Sequence, residues 1–183
     1  MTEWSHEQKD FAREVRKKSF PGGGLEQETK LKQGRPDGPT TSYYEDGSVK
    51  EILSFKNGMQ DGLCQWFYPN KQLRREVTYR GGLMHGLMRS WYENGTVKEK
   101  WTFEGGRLEG TGQLFYPGGA LKEEIHFRHD LRQGLRVCYG EDGKPLREEI
   151  YEDDALHGPC KVYAGGKLER TEHYERGELR GSA

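Results

Sequence analysis

Trp91-Tyr92-Glu93-Asn94-Gly95-Thr96-Val97-Lys98-Glu99 reads as two β-prone runs joined by a tight turn. Aromatic and β-branched residues flank an Asn-Gly pair, which is the local signature of a hairpin. Tyr43-Tyr44-Glu45-Asp46-Gly47 repeats the pattern 48 residues earlier, and Glu141-Asp142-Gly143 repeats its turn 48 residues later. Five residues before each aromatic run stands a marker glycine: Gly38, Gly62, Gly86, Gly110, Gly134 and Gly158, at a constant spacing of 24. A fixed period of that length means a one-dimensional stack of a single supersecondary unit.

Every other position agrees with that ruler. The sixth residue after the marker is Tyr44, Tyr68, Tyr92 or Tyr116, and the seventeenth is Phe55, Tyr79, Phe103, Phe127 or Tyr151. A second turn, such as Lys56-Asn57-Gly58 or Glu104-Gly105-Gly106, leads to the next marker. Phe20-Pro21-Gly22-Gly23-Gly24-Leu25 falls in phase with Tyr116-Pro117-Gly118-Gly119-Ala120-Leu121, so residues 19–183 read as about seven units with the first truncated. Ser5-His6-Glu7-Gln8 has the form of a capping box, and Trp4, Phe11 and Val15 follow at helical spacing. The sequence therefore predicts an all-β, elongated single-sheet antiparallel β-meander of 24-residue hairpins, with a short N-terminal α-helix over 3–18 capping its end.

Pairing the sixth position with the eleventh, the fourth with the thirteenth and the second with the fifteenth assigns side chains to two faces. Face A collects the tyrosine stripe, Trp66, Trp101, Val77, Ile125 and the seventeenth-position rings. It is strongly apolar, and with only one sheet to cover it, the part not folded on itself is an expected contact patch. Face B collects Tyr43, Phe67, Trp91 and Phe115 beside Lys50, Arg74, Lys98 and Lys122, and reads as wettable, with cations over rings.

Composition narrows the function. Hydrophobic and charged residues each make up 32% of the chain, and the net charge of -1 gives a nucleic acid no electrostatic footprint. No stretch is apolar enough to span a membrane, and Glu3, Glu7, Asp10 and Glu14 offset the basic residues that a membrane-surface helix would use. Cys138 and Cys160 fall two strands apart, roughly 10 Å between Cα atoms by strand spacing, which is beyond bridging reach. Reduced thiols and a polar start point to the cytoplasm.

A translational repeat sets like groups along a line, whereas catalysis needs unlike groups at one point. His85 and His157 share the slot before the marker glycine, also occupied by Asp61, Glu109 and Gln133, and lie three repeats apart. The sequence offers no catalytic residue, no metal set and no cofactor site. The binding candidates are Tyr44, Tyr68, Tyr92, Tyr116, Trp66 and Trp101 on face A, and the acidic cluster Glu148, Glu149, Glu152, Asp153 and Asp154.

Asp61-Gly62-Leu63, His85-Gly86-Leu87 and His157-Gly158-Pro159, each followed by an aromatic strand and a Gly turn, resemble MORN-variant repeats. The resemblance covers residues 19–181. It implies a hairpin meander, and chains of similar size built from such repeats are commonly classed as bacterial antitoxin- or immunity-type proteins. On that resemblance the expected function is non-catalytic binding of another protein, a toxin or effector encoded nearby; the alternative is a scaffold or self-associating module in a membrane-linked or larger assembly. The turn at Pro69-Asn70-Lys71, and Asp130 and Asp154 in place of the second-turn glycine, depart from the pattern.

Overall fold

Two kinds of turn generate the architecture. The first joins the strands of a hairpin: the Tyr44 N–H donates to the Ser48 carbonyl at 2.8 Å and the Gly47 N–H to the Tyr44 carbonyl at 2.9 Å, closing a three-residue loop. Its last residue must be left-handed, and Gly47 has φ 80°. Its middle residue, Asp46, Asn70, Asn94 or Asp142, accepts the N–H two positions on, from Ser48, Gln72, Thr96 or Lys144. The second turn has two residues, both left-handed, as at Asn57 (φ 51°) and Gly58 (φ 87°), the conformation that matches the twist of a hairpin.

The computed structural model describes residues 13–183 and places them in two units, Met1–Leu83 and Met84–Ala183. Unit 1 contains β1 (Arg13–Ser19), β2 (Leu25–Lys32), β3 (Arg35–Tyr43), β4 (Val49–Lys56), β5 (Met59–Gln60), β6 (Gly62–Phe67) and β7 (Leu73–Arg80). The two-residue β8 (Leu83–Met84) holds the division in the sequence. Unit 2 contains β9 (Gly86–Trp91), β10 (Val97–Glu104), β11 (Arg107–Leu108), β12 (Gly110–Phe115), β13 (Leu121–Arg128), β14 (Leu131–Tyr139), β15 (Pro145–Glu152), β16 (Ala155–Leu156), β17 (Gly158–Ala164), β18 (Lys167–Glu175) and β19 (Glu178–Ser182). Within each unit, strands pair antiparallel with their neighbours in sequence, giving a meander.

The N-terminal helix requires correction. Arg13–Ser19 form a strand, β1, paired antiparallel with β2, and no described residue is helical. Trp4, Ser5 to Gln8 and Phe11 lie outside the described residues. A short isolated helix is marginal in water, whereas β2 offers this segment a backbone ladder and two carboxylates, Glu26 for Lys18 and Glu28 for Lys17. Val15, expected to pack, is 54% exposed. The sequence held the signal: Phe20 aligns with Tyr44, so the residues before it occupy the phase of a first strand.

Gly62, Gly86, Gly110 and Gly158 follow a two-residue strand and open a longer one, whereas Gly38 and Gly134 lie inside β3 and β14. All six have positive φ, from 72° at Gly110 to 110° at Gly38, so the backbone calls for glycine; at Gly62 a Cβ would also stand close to Ser54, 3.2 Å from its Cβ. The expected pairings of the second with the fifteenth position and the fourth with the thirteenth are present, as Thr40↔Leu53 and Ser42↔Glu51. The sixth with the eleventh is not. A bulge after Ser42 pairs Tyr43 with Val49 and leaves Tyr44 to open the turn.

Buried side chains lie on face A: Leu31, Thr40, Cys64 and Val77 in unit 1, and Met88, Ile125, Glu149, Tyr151 and Cys160 in unit 2. Cys64 and Val77 face each other across β6 and β7 and are wholly buried.

Candidate protein-binding surface

Face A of unit 2 is built on one row of cross-strand neighbours. Met88 faces Trp101, Gly112 faces Ile125, Ile125 faces Arg136, Arg136 faces Glu149, and Cys160 faces Glu172. The row begins apolar. Trp101 lies on Gly112, where a Cβ would come 2.2 Å from the indole, and meets Phe127 edge-on at 5.8 Å. Its indole N–H donates to Glu99 at 2.9 Å.

From Glu123 onward the row becomes ionic. Arg136 donates to both oxygens of Glu123, at 2.9 and 3.0 Å, and to Glu149. Arg147 meets the other oxygen of Glu149 at 2.6 Å and reaches Glu172, which Arg170 also holds at 2.8 Å. Glu149 is 5% exposed, and the Tyr151 hydroxyl adds a donor at 3.1 Å. The carboxylate hydrogen bonds raise the Arg136 pKa far above the guanidinium range, and burial pushes the Cys138 and Cys160 thiols up.

The tyrosine stripe has an internal task. Tyr44 donates to the Phe67 carbonyl at 2.8 Å, Tyr92 to the Phe115 carbonyl at 2.7 Å, and Tyr116 to the Tyr139 carbonyl at 2.8 Å, each in the following repeat. These rungs tie hairpin to hairpin. They end where Gly140 replaces tyrosine, and the ion ladder, which begins beside the last rung at Glu123–Arg136, continues beyond it. Trp66 has Arg75 over its ring at 5.5 Å. The rings of face A candidates are thus engaged within the repeats.

The acidic cluster is divided by strand alternation. Glu149 points into face A, whereas Glu148 points to face B, held by Lys161 at 3.0 Å and the Tyr163 hydroxyl at 2.8 Å, which lower its pKa. Glu152 is exposed on face B. Asp153 and Asp154 form a two-residue turn with φ 47° and 69°. Asp154 accepts from the Arg132 N–H at 2.8 Å and its Nε at 2.9 Å, and Asp130 accepts from the Leu108 N–H at 2.7 Å. An aspartate replacing the turn glycine keeps the geometry because its carboxylate is tied to a neighbouring strand. The slot before the marker glycine serves the same purpose: Asp37, Asp61, Glu109 and Gln133 cap the turn N–H groups of Asn57, Gly81, His129 and Asp153.

Face B is less wettable than its lysines suggest. The exposed large apolar side chains are concentrated there: Met59 and Leu63 in unit 1, and Leu87, Leu131, Leu135, Leu146 and Ile150 in unit 2. The sequence signal was the apolar residue directly after the marker glycine, at Leu63, Leu87 and Leu135. Leu135 and Ile150 face each other across β14 and β15, 45% and 37% exposed, with Pro159 on the next strand. The expected lysine contacts also differ, since Lys50, Lys98 and Lys122 lie over the sixth-position tyrosines, while Lys100 lies over Phe115.

Four segments match the MORN repeat variant. They are residues 36–57, 60–80, 84–104 and 108–129. The last matched segment holds Tyr116, the last tyrosine that ties one repeat to the next. No curated protein matches the chain. The MORN-variant repeats support a repeat-based binding or scaffold module, and repeats of this class are generally non-catalytic. Among the described residues, no three His, Cys, Asp or Glu side chains group to hold a metal, and no helix is long and apolar enough to cross a membrane.

Proposed function

We propose that the chain is a non-catalytic protein-binding repeat array that docks its partner on face B of unit 2, around Leu135 and Ile150. The observation that carries this reading is the pairing of those two side chains, exposed together on a face whose opposite side is buried. Apolar area of this kind is stabilised by leaving water against a partner. Leu131 and Leu146 extend it, and the Glu148–Lys161–Tyr163 cluster supplies a polar centre that fixes orientation.

The finer reading is that the partner is a toxin or effector encoded nearby, neutralised by occlusion in the cytoplasm. Its support is the resemblance to antitoxin- and immunity-type chains. Mixing the purified chain with the product of a neighbouring gene tests it: co-elution is expected, and Leu135→Asp with Ile150→Asp should abolish co-elution while leaving the melting temperature within the range of surface substitutions. A pair that elutes separately at micromolar concentration removes the toxin reading. Wild-type self-association that the double substitution abolishes would instead favour the scaffold.

A further inference from the structure

In three hairpins a lysine lies over the tyrosine that opens the turn: Lys50 over Tyr44 at 5.9 Å, Lys98 over Tyr92 at 5.9 Å, and Lys122 over Tyr116 at 5.6 Å. Each lysine follows its ring by six residues, so the contact belongs to the repeat. It is the attraction of a cation for the negative face of a π system.

The first hairpin keeps the turn and reverses the charge. The Phe20 N–H donates to the Gly24 carbonyl at 2.8 Å and the Gly23 N–H to the Phe20 carbonyl at 2.9 Å, as in the other hairpins. Six residues after Phe20 stands Glu26, not lysine. A cleft of about 410 Å³ beside the ring is lined by Phe20, Glu26, Tyr44, Glu45, Lys50 and Glu51 among others, and an adjoining one of about 320 Å³ shares Phe20 and Glu45. The other charges are accounted for: Lys18 pairs with Glu26, Ser42 donates to Glu51 at 3.0 Å, and Lys50 covers Tyr44. Among the described residues no cation lies over the Phe20 ring, where the other three hairpins hold a lysine over theirs, and Glu45 and the Lys18-paired Glu26 stand at its margin.

We propose that this cleft binds a cationic side chain, lysine or arginine, presented by a partner protein. The head group lies over Phe20, Glu45 accepts its hydrogen bonds beside the Lys18–Glu26 pair, and the alkyl stem runs along the cleft wall toward Tyr44, whose own ring Lys50 covers. The identity of the presenting molecule rests on the protein-binding reading; the chemistry of the cleft does not.

The test is titration of the full chain with N-acetyl-arginine amide and N-acetyl-lysine amide, followed by NMR at the Phe20 ring and the Gly22–Gly24 amides. Saturable shifts in the millimolar range are expected, with none from the neutral N-acetyl-norleucine amide. Glu26→Lys installs the lysine that other hairpins carry, and should weaken binding at least about tenfold while the fold is retained. Phe20→Leu keeps the apolar volume, removes the π face and should weaken it likewise. Absence of saturable shifts, equal shifts with norleucine amide, or binding unchanged in both variants would overturn the proposal. Because the probes are single amino acids, that result would leave docking on Leu135 and Ile150 standing.

Discussion

Lys71 occupies the position that glycine fills at Gly47, Gly95, Gly119 and Gly143, and it adopts the same left-handed backbone, φ 68°. Its turn is closed by the usual pair of hydrogen bonds, the Lys71 N–H to the Tyr68 carbonyl at 2.9 Å and the Tyr68 N–H to the Gln72 carbonyl at 2.8 Å. The Lys71 backbone is therefore strained by roughly 1 kcal/mol, partly offset by the lower unfolded-state entropy of a non-glycine residue. Lys71→Gly is expected to stabilise the chain by about 0.5 kcal/mol in thermal unfolding, a sign opposite to that of most substitutions. Gly112 presents the reverse case. Gly112→Ala drives a methyl into the Trp101 indole and should cost about 1–3 kcal/mol. A partial rescue by Trp101→Leu in the double variant would identify the clash as the cause.

At the scale of elements, repeats are joined by different chemistry along the chain. Tyr116→Phe removes one rung and leaves the Tyr139 carbonyl without that donor, a loss of about 1 kcal/mol in denaturant unfolding. Glu149→Gln leaves Arg136 and Arg147 facing a neutral amide in a buried setting, and should cost about 3 kcal/mol. Acid acts on the same region. Hydrogen bonds from Lys161 and Tyr163 lower the Glu148 pKa from the ordinary 4.5, and those from Arg132 lower that of Asp154 from 3.8. Folded-state values below the unfolded ones contribute stability above the unfolded pKa, which is lost as pH falls through the folded value. An acid titration followed by circular dichroism should therefore show destabilisation setting in below about pH 4.5, reduced in Glu148→Gln. The hairpins and their register were legible because turn glycines and seventeenth-position rings recur in phase. The N-terminal strand was signalled only by the phase of Phe20, because Glu14 stands where the marker glycine would be and the local spacing of Trp4, Phe11 and Val15 favoured a helix. The bulge after Ser42 was unreadable, because it leaves the 24-residue count unchanged and only moves Tyr44 out of the ladder.

At the scale of the whole molecule, a repeat array divides labour between faces, and the sequence disclosed the division only in part. Counting from the marker glycine placed Val77, Trp101 and Ile125 on one side, yet apolar character alone suggested that this side meets a partner. In the structure it is the side where the buried residues lie, and Leu135 and Ile150 on the other side remain in water. A residue-level probe on each face decides between these assignments. The direct measurement is photo-crosslinking of the full chain in its native host, with a benzophenone amino acid at Leu135 and, as the control, at Leu179, which is 56% exposed and paired with Tyr174 of face A. A defined protein adduct from position 135 and none from position 179 is the predicted result; no adduct at 135, or the same adduct from both positions, would contradict docking on face B.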